Sequence, residues 1–444
     1  MLVNFHKPTL FLSFFIMIVF SMPLHSQVWT LQQCIDSAQM YNKTLQISRN
    51  NMLAGTEREK EAKSNLIPKV KFTGDYKYFI DQPTQLMPQS AFGGPEGVFK
   101  EVQFGTPHNF NLSLQAALPL YNPNIYGAIK TTKAASELNK LQYKKTREEV
   151  YYNISNLYYN AQVLKHQLTF IDSNLENTSR LLQNIKLLHE QKMAKRSDVQ
   201  KIQLQKAQLL TQKKTVENTL IQVKNLLKFN MGIPLSRLIE LESSIRYQPE
   251  INYAHNIIVD LQLANTKKDL LTTELKTLKN SRIPSLSLYG SYSEVGFGYR
   301  GVPKDFLNFY PTSLVGLQLS VPVFNGMVTK RKINQKKLEI KNTELQASLI
   351  KEKNTMEITN ARKQRNVALT TIKNTQDQIK LAQSVYNQTV MQQKQGLASL
   401  TDVLMADNAL KEAQQNNITA IINYLKADLK LKQLTGNIES ISKK

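Results

Sequence analysis

The stretch that decides the fold is ISNLYYNAQVLKHQLTFIDSNLENTSRLLQNI, residues 154–185. Its apolar side chains recur at alternating steps of three and four residues, with Thr178 as the polar exception. This spacing predicts one narrow apolar stripe on an α-helix that packs against another helix. The apolar positions of the stripe are Ile154, Leu157, Ala161, Leu164, Leu168, Ile171, Leu175, Leu182 and Ile185.

The helix that carries this stripe is expected to be very long. Neither Gly nor Pro occurs between Ala128 and Met231. Within that range, only the polar patch over residues 191–198 suggests a turn. A helix over residues 124–191 would extend roughly 100 Å at ~1.5 Å per residue. Because helices of globular proteins average ~11–12 residues, a rod, a coiled coil or a tube is expected.

Residues 1–26 have the features of a secretory signal: Lys7, an apolar run over residues 9–20, and the small residue Ser26. The alternative is a single membrane anchor, although the run is short for a span of ~20 residues. No later segment reaches ~18 continuous apolar residues, so no further transmembrane helix is expected. With Cys34 as its one cysteine, the chain should contain no internal disulfide and no cysteine-based metal site.

The chain is strongly basic. Removing the signal removes Lys7 and no acid, which leaves a formal charge of 56 − 34 = +22. This charge suits anionic lipid or anionic cargo, and a solvated, lysine-rich helix surface is the alternative interpretation.

Two strand-like runs precede the long helix. After a predicted helix over residues 29–66, apolar and polar residues alternate over 70–80 and again over 110–120. The alternation predicts a β-hairpin with one apolar and one polar face, joined by a loop over residues 81–107. Asn122 and Pro123 are then the expected N-cap and first residue of the long helix.

The same order of elements recurs in the second half of the chain. Pro284 corresponds to Pro68, and Pro-Val-Phe-Asn at 322–325 corresponds to Pro-Leu-Tyr-Asn at 119–122, an offset of 203 residues; the later turn and helix end repeat at an offset of 204. A second hairpin, a loop over 296–311 and a second long helix over 327–395 follow. The last helix keeps the heptad stripe through Val403, Ala406, Leu410, Ala413, Ala420, Tyr424, Ala427, Leu431 and Leu434. The expected organisation is therefore a signal (1–26) and two structural repeats (27–232 and 233–444), each with helix, hairpin, long helix and helix.

Four strands of about ten residues with one apolar face are typical of outer membrane β-barrels. A small periplasmic β-domain with one solvated face is the alternative. Because the smallest membrane barrels have ~8 strands and an open edge in lipid leaves backbone groups unpaired, a membrane-inserted chain must oligomerise. The positions predicted to face lipid are Phe72, Tyr76, Tyr78, Leu112, Leu114, Leu317, Leu319 and Val321.

The tandem halves, the motifs before the long helices and Gly-Leu-Ala-Ser-Leu-Thr-Asp-Val at 396–403 together resemble the TolC-like outer membrane efflux protein family. The resemblance implies a mainly α protein with membrane β: a long-helix α-barrel continued by a β-barrel that three protomers share, with four strands per chain. It also implies a homotrimer in the outer membrane, with its helical part in the periplasm, in contact with outer membrane lipid, a periplasmic adaptor and an inner-membrane transporter.

In this family the turns after the long helices would be the periplasmic tips, where adaptors dock. The residues assigned to that role are Lys195, Ser197, Asp198, Gly396, Ser399 and Asp402. Ser197-Asp198-Val199-Gln200 has the form of a capping box, with Ser197 as the expected N-cap of the return helix.

The chain departs from the family pattern in two places. The first tip has Lys192 where the second has Gly396, so it lacks a glycine to take the left-handed cap, and its docking surface is expected to differ. Family members can carry acidic residues near the closing end of the second long helix, but here no carboxylate lies between Asp377 and Asp402, so an acidic entrance ring is not expected.

No enzyme motif was found. The mature chain contains four histidines without metal-site spacing, no phosphate-binding loop and no nucleophile elbow, so no catalytic residue, cofactor or metal is expected. Export and the scarcity of interleaved aromatics argue against nucleic acid. The resemblance implies a passive duct of a tripartite efflux system; a duct for type I protein secretion and a periplasmic adaptor or structural coiled coil are the alternatives.

Overall fold

The computed structural model describes residues 28–245, 253–298 and 307–439. The predicted signal, residues 1–26, and half of the loop predicted at 296–311 lie outside these ranges. The described chain forms two compact units. Of the described residues, the helical unit draws on 28–49, 143–245, 253–261 and 350–439, and the strand unit on 50–142, 262–298 and 307–349. Each unit takes segments from both predicted repeats, so the repeat boundary at residue 232 stays a prediction.

Long helices dominate the described residues. The helices are α1 (Leu31–Tyr41), α2 (Lys43–Ser64), α3 (Pro123–Glu190), α4 (Arg196–Met231), α5 (Val259–Asn280), α6 (Val328–Lys394) and α7 (Leu400–Leu434). The strands are β1 (Val28–Trp29), β2 (Lys69–Tyr78), β3 (Thr84–Pro88), β4 (Phe99–Gln103), β5 (His108–Tyr121), β6 (Glu240–Leu241), β7 (Ser285–Gly298) and β8 (Leu307–Ser320). A 3₁₀ helix, Gln89–Phe92, lies between β3 and β4.

The two long helices, α3 with 68 residues and α6 with 67, confirm the predicted uninterrupted spans. Asn122 caps α3 as expected, since its Oδ1 accepts a hydrogen bond from the backbone N–H of Asn124 at 3.0 Å. Pro123 is the first helical residue, where its missing N–H costs nothing. Within the described part of the chain, no helix combines the length and apolarity that crossing a membrane requires.

The strand unit contains a four-stranded antiparallel sheet in the order β2-β5-β7-β8. One row of paired residues joins Phe72, Leu114, Tyr292 and Ser313; the adjacent row joins Lys71, Gln115, Ser291 and Leu314. Because successive side chains alternate between faces, this register places the predicted apolar residues on one face and the β2 lysines on the other. The outer edges of the sheet belong to β2 and β8.

The strands differ from the prediction at their ends. β7 and β8 pair as far as Gly298 and Leu307, so the loop between them is shorter than predicted. β8 ends at Ser320, two residues before Pro322, which has no N–H to give a neighbouring strand. The loop predicted at 81–107 contains a small hairpin, in which Thr84 pairs with Gln103 and Pro88 with Phe99.

The heptad prediction is confirmed completely on α7 and partly on α3. All nine predicted positions on α7 are buried, because α7 packs against three helices, α3, α4 and α6. On α3, Ile154, Ala161, Ile171, Thr178 and Ile185 are buried. The prediction was wrong for five leucines, which are only half-buried: Leu157, Leu164, Leu168, Leu175 and Leu182.

Polar side chains occupy some of the buried positions on α3. Asn174 is 4% exposed, and its Nδ2 donates a hydrogen bond to Gln414 Oε1 at 2.8 Å. This bond gives the buried Asn174 Nδ2 a partner on α7, so the face of α3 that carries Asn174 lies toward α7, and the half-buried Leu175 lies beside it. The hydropathy pattern of the sequence therefore could not identify Asn174 as a buried position of α3.

The predicted helix over 29–66 is broken at Asn42, which separates α1 from α2. The Asn42 side chain accepts a hydrogen bond from the backbone N–H of Leu45 at 3.0 Å and donates one to the carbonyl of Asn230 at 2.6 Å. Nearby, Cys34 is completely buried in the core that also contains Ile35, Ile154 and Leu227. Burial raises the pKa of the Cys34 thiol to about 12.

Candidate functional site

The two predicted tips have the same backbone. Lys192 and Gly396 both adopt the left-handed conformation, with φ of 63° and 75°. In the first turn, residues 191–195, the N–H of Lys192 donates to His189 O and that of Met193 to Leu188 O. In the second turn, residues 395–399, Gly396 and Leu397 repeat these two bonds to Gln393 and Gln392. These paired bonds close the last turn of each long helix.

The expectation that Lys192 would not take the left-handed cap was therefore wrong. The cost of positive φ is about 1–2 kcal/mol for a residue with a Cβ, and local contacts offset it. His189 Nδ1 lies 2.8 Å from the carbonyl oxygen of Ala194, which ties the end of α3 to the far side of the first turn. The two tips share their backbone course and differ in side-chain chemistry.

The return helices begin with related caps. Ser399 is the N-cap of α7: its Oγ accepts from the N–H of Asp402 at 3.2 Å, and the Asp402 carboxylate accepts from the N–H of Ser399 at 2.8 Å. These bonds form a capping box. In the first turn the N-cap is Lys195, whose N–H donates to Asp198 Oδ2 at 3.3 Å. The prediction of Ser197 as N-cap was wrong, because α4 begins at Arg196 and Ser197 is already helical.

Asp402 keeps its charge under mildly acidic conditions. Hydrogen bonds from the Ser399 hydroxyl and backbone N–H lower the pKa of the Asp402 carboxyl. A lowered pKa in the folded state adds stability above the ordinary pKa, and this stability is lost as the pH falls through the lowered value. The capped second turn is therefore stable across the neutral range.

A large apolar side chain projects from each tip, directly after the left-handed residue. Met193 is 73% exposed and Leu397 is 77% exposed. Neither residue is among those predicted for the tips, although their equivalent positions, 204 residues apart, are a signal that could have indicated them. Exposed apolar groups at equivalent places are a feature of partner-binding sites, and removing each from water would contribute about 1.5–3 kcal/mol.

A rigid base holds both tips. Behind the turns, side chains of four helices form one buried cluster: Leu181, Ile185, Ile202, Tyr386, Val403, Ala406 and Leu410. Burial raises the pKa of the Tyr386 hydroxyl to about 12. Because this cluster joins α3, α4, α6 and α7, the two turns are fixed relative to each other within the helical unit.

Further along α7, polar bridges replace apolar contacts. Gln205 of α4 donates to Asp407, which is 2% exposed and also pairs with Lys411. Asn417 Nδ2 donates to Thr375 Oγ1 of α6 at 2.9 Å, and Arg365 Nε lies 3.0 Å from Asp428 Oδ1. Buried polar bridges give register to packed helices, and losing one partner costs more than the bond contributes.

The strand unit presents the second functional surface. Seven of the eight positions predicted to face lipid lie within strands and on one face of the sheet, and each is exposed in the chain: Phe72, Tyr76, Tyr78, Leu112, Leu114, Leu317 and Leu319. Val321, the eighth, lies one residue beyond the end of β8. That this face meets lipid stays a prediction.

Aromatic rings gather at one end of this face. Tyr76 Oη lies 2.7 Å from His108 Nδ1, and the centre of the tilted Tyr78 ring lies 4.9 Å from that of His108. Phe110 lies between Tyr76 and Phe309. Membrane barrels carry such aromatic girdles at the level of the lipid headgroups. Among the residues described, no group of three His, Cys, Asp or Glu side chains could hold a metal ion.

Comparison with known proteins shows which family and which relatives the chain is similar to. Residues 259–437 match the family described as Outer membrane efflux protein. The chain is 20% identical to the Outer membrane protein TolC of Salmonella enteritidis over 424 residues, which cover 93% of this chain and 83% of the relative. TolC of Escherichia coli (strain K12) is likewise 20% identical, over 428 residues and with the same coverage.

Solved structures of outer membrane channels share the fold. VceC of Vibrio cholerae superposes with a TM-score of 0.73 and 14% identity, covering 91% of this chain and 96% of VceC. The CmeC channel of Campylobacter jejuni gives a TM-score of 0.75 and 14% identity, covering 92% of this chain and 85% of CmeC. The predicted fold class, long helices with membrane-type strands, is confirmed. The family consists of ducts rather than enzymes. Residues 259–437 therefore match the outer membrane efflux protein family, and over most of its length the chain is similar to the TolC-like outer membrane efflux proteins.

Proposed function

We propose that three copies of this chain form an outer membrane channel-tunnel that gives passive passage from the periplasm to the exterior. The observation that carries the proposal is the four-stranded sheet with an apolar face and two outer edges, on β2 and β8. In lipid each edge would leave a row of backbone groups unpaired, at several kcal/mol per group. Pairing β2 of one copy with β8 of the next would satisfy both edges, and three copies would supply twelve strands.

The partners in this proposal are a periplasmic adaptor and an inner-membrane transporter, which together make a tripartite efflux system. The adaptor would dock on the two turns, where Met193 and Leu397 project from a rigid base. In this view Gly396, Ser399 and Asp402 shape the second docking site, and Lys195 and Asp198 shape the first. The helical part would lie in the periplasm and the strands in the outer membrane.

The docking surface can be tested by making its two apolar side chains charged. The variants Met193→Asp and Leu397→Asp should assemble normally, because both side chains are exposed and outside the buried cluster. Docking would lose about 1.5–3 kcal/mol per site, so export should fall strongly. Dye accumulation is measured in cells that lack their own outer membrane duct and express this chain with its adaptor and pump. Crosslinking to the adaptor from residues 193 and 397 provides the direct readout.

Conservative variants serve as controls. Met193→Leu and Leu397→Met keep an apolar side chain of similar volume and should export like the parent chain. If the aspartate variants assemble and still export and crosslink normally, the tips are not the docking site. If the conservative variants lose export as well, the shape of the side chains matters and the hydrophobic account is wrong.

A further inference from the structure

The polar face of the sheet carries a net positive charge. Its charged residues are Lys69, Lys71, Asp75 and Lys77, all at odd-numbered positions of β2. The residues paired with them across β5 are neutral, and the polar faces of β7 and β8 carry no charge. Each chain therefore contributes a net charge of +2 to this face.

This charge is only partly neutralised. Lys77 Nζ lies 3.4 Å from Asp75 Oδ2, and both side chains are largely in solvent, with 66% and 49% exposed. Lys69 Nζ donates to the neutral Asn65 Oδ1 at 2.9 Å. Within the part of the chain that the structure describes, Lys71 forms no ion pair, and it lies opposite the neutral Gln115. Lys69 and Lys71 thus act as two uncompensated cations.

Geometry places these two lysines close enough to act together. Residues two apart on one face of a strand are separated by about 7 Å, which is less than the Debye length of ~8 Å at physiological ionic strength. If the apolar face meets lipid, the polar face lines a pore. Three chains would then give adjacent rings of lysine, and Arg or Lys rings favour anions in pores.

The first turn has the same sign of charge. Residues 186–201 contain Lys186, Lys192, Lys195, Arg196 and Lys201 against Glu190 and Asp198, a net charge of +3. The equivalent residues 390–405 contain Lys394 and Asp402, a net charge of zero. Neither turn is acidic overall, so nothing in either segment would offset the lysines of the barrel in favour of cations.

We propose that the channel is anion-selective, that Lys69 and Lys71 set this selectivity, and that its cargo is small molecules bearing carboxylate, phosphate or sulfonate groups. The inference rests on the proposed function, because it needs the polar face of the sheet to line a pore. Low-dielectric walls around one sign of charge raise the local concentration of the opposite ion, which favours entry of anionic cargo.

The test is the zero-current potential of the full mature chain in a planar lipid bilayer under a KCl gradient. Chloride should be several-fold more permeant than potassium. Replacing both residues, Lys69→Glu with Lys71→Glu, changes the net charge of the polar face from +2 to −2 per chain and should reverse the selectivity. The matched control, Lys69→Arg with Lys71→Arg, keeps the charge and should leave the permeability ratio unchanged.

The possible outcomes separate the inference from the proposed function. Channels that form but prefer potassium would overturn the anion selectivity and leave the duct intact. A wild-type preference for chloride that the glutamate pair does not alter would overturn the assignment to Lys69 and Lys71. An absence of any conductance from the wild-type chain would overturn the proposed function itself. If the glutamate pair fails to assemble, the neutral pair Lys69→Gln with Lys71→Gln should still abolish the preference for chloride.

Discussion

Replacing Gly232 with alanine is expected to destabilise the helical unit by about 3–4 kcal/mol, combining the costs of positive φ and of steric overlap. Gly232 follows the end of α4 with φ 74°, and its N–H donates to the carbonyl of Phe229 at 3.1 Å. A Cβ at this position would lie 2.3 Å from both the carbonyl carbon and oxygen of Tyr41 and 2.8 Å from the backbone nitrogen of Asn42. Backbone atoms cannot rotate away, so α1 would have to move.

The consequences extend beyond the turn because α1 and α4 are tied together there. Ser37 Oγ donates to the carbonyl of Met231 at 3.3 Å, and Asn42 Nδ2 donates to that of Asn230 at 2.6 Å. Moving α1 away from Gly232 would lengthen both bonds and open the core around Cys34 and Met231. The loss should therefore appear as reduced thermal stability together with faster proteolysis near α1.

Gly396 provides the matched control. Its φ of 75° is nearly the same, but a Cβ there would meet nothing within 4 Å. Gly396→Ala should lower the free energy of unfolding only by the cost of holding a residue with a Cβ at positive φ, about 1–2 kcal/mol. Thermal melts of both variants, followed by circular dichroism, measure the difference. Equal shifts would show that the close approach of Tyr41 to Gly232 carries no energetic weight.

Arginine at Leu114 is expected to destabilise the assembled barrel by about 2–4 kcal/mol. Leu114 lies near the middle of β5, between Phe72 and Tyr292 on the apolar face, and is 46% exposed in the chain. If this face meets lipid, a guanidinium at that depth must be taken out of water. In a water-soluble β-domain, an exposed leucine could be changed to arginine at little cost.

The matched control is Gln318→Arg. Gln318 is exposed and lies on the polar face of β8 opposite Ser287, where a water-filled pore would accept a charge. Ser113 also lies on the polar face, but it is unsuitable as a control because it is 5% exposed and accepts a hydrogen bond from Ser293 Oγ at 3.1 Å. The measurement is the urea midpoint of the assembled protein in lipid vesicles. Similar midpoints for Leu114→Arg and Gln318→Arg would exclude a lipid-facing role for this side of the sheet.

The sequence predicted those parts of the fold in which a long, regular residue pattern determines the secondary structure. A run of 104 residues without Gly or Pro made α3 and α4 predictable, and alternation of period two identified β2 and β5. Pairings of two residues, such as Trp29 with Leu241 between β1 and β6, give no such signal because they are too short to show a period.

At the tips, residue propensities failed to predict the backbone conformation. Sequence rules associate left-handed helix ends with glycine, yet Lys192 adopts this conformation because the backbone bonds of the turn and the His189–Ala194 contact support it. Likewise, Lys195 occupies the N-cap position that Ser399 fills in the other half. The 204-residue offset would have predicted both assignments, because position in a repeat constrains the backbone more strongly than the propensity of one residue.

The central claim, a barrel shared by three copies, is tested most directly by the mass of the mature chain in detergent. Light scattering corrected for bound detergent should give the protein mass of three chains, because the β2 and β8 edges of one copy need partners from others. A stable, folded monomer that keeps its β-sheet circular dichroism signal would contradict the shared barrel.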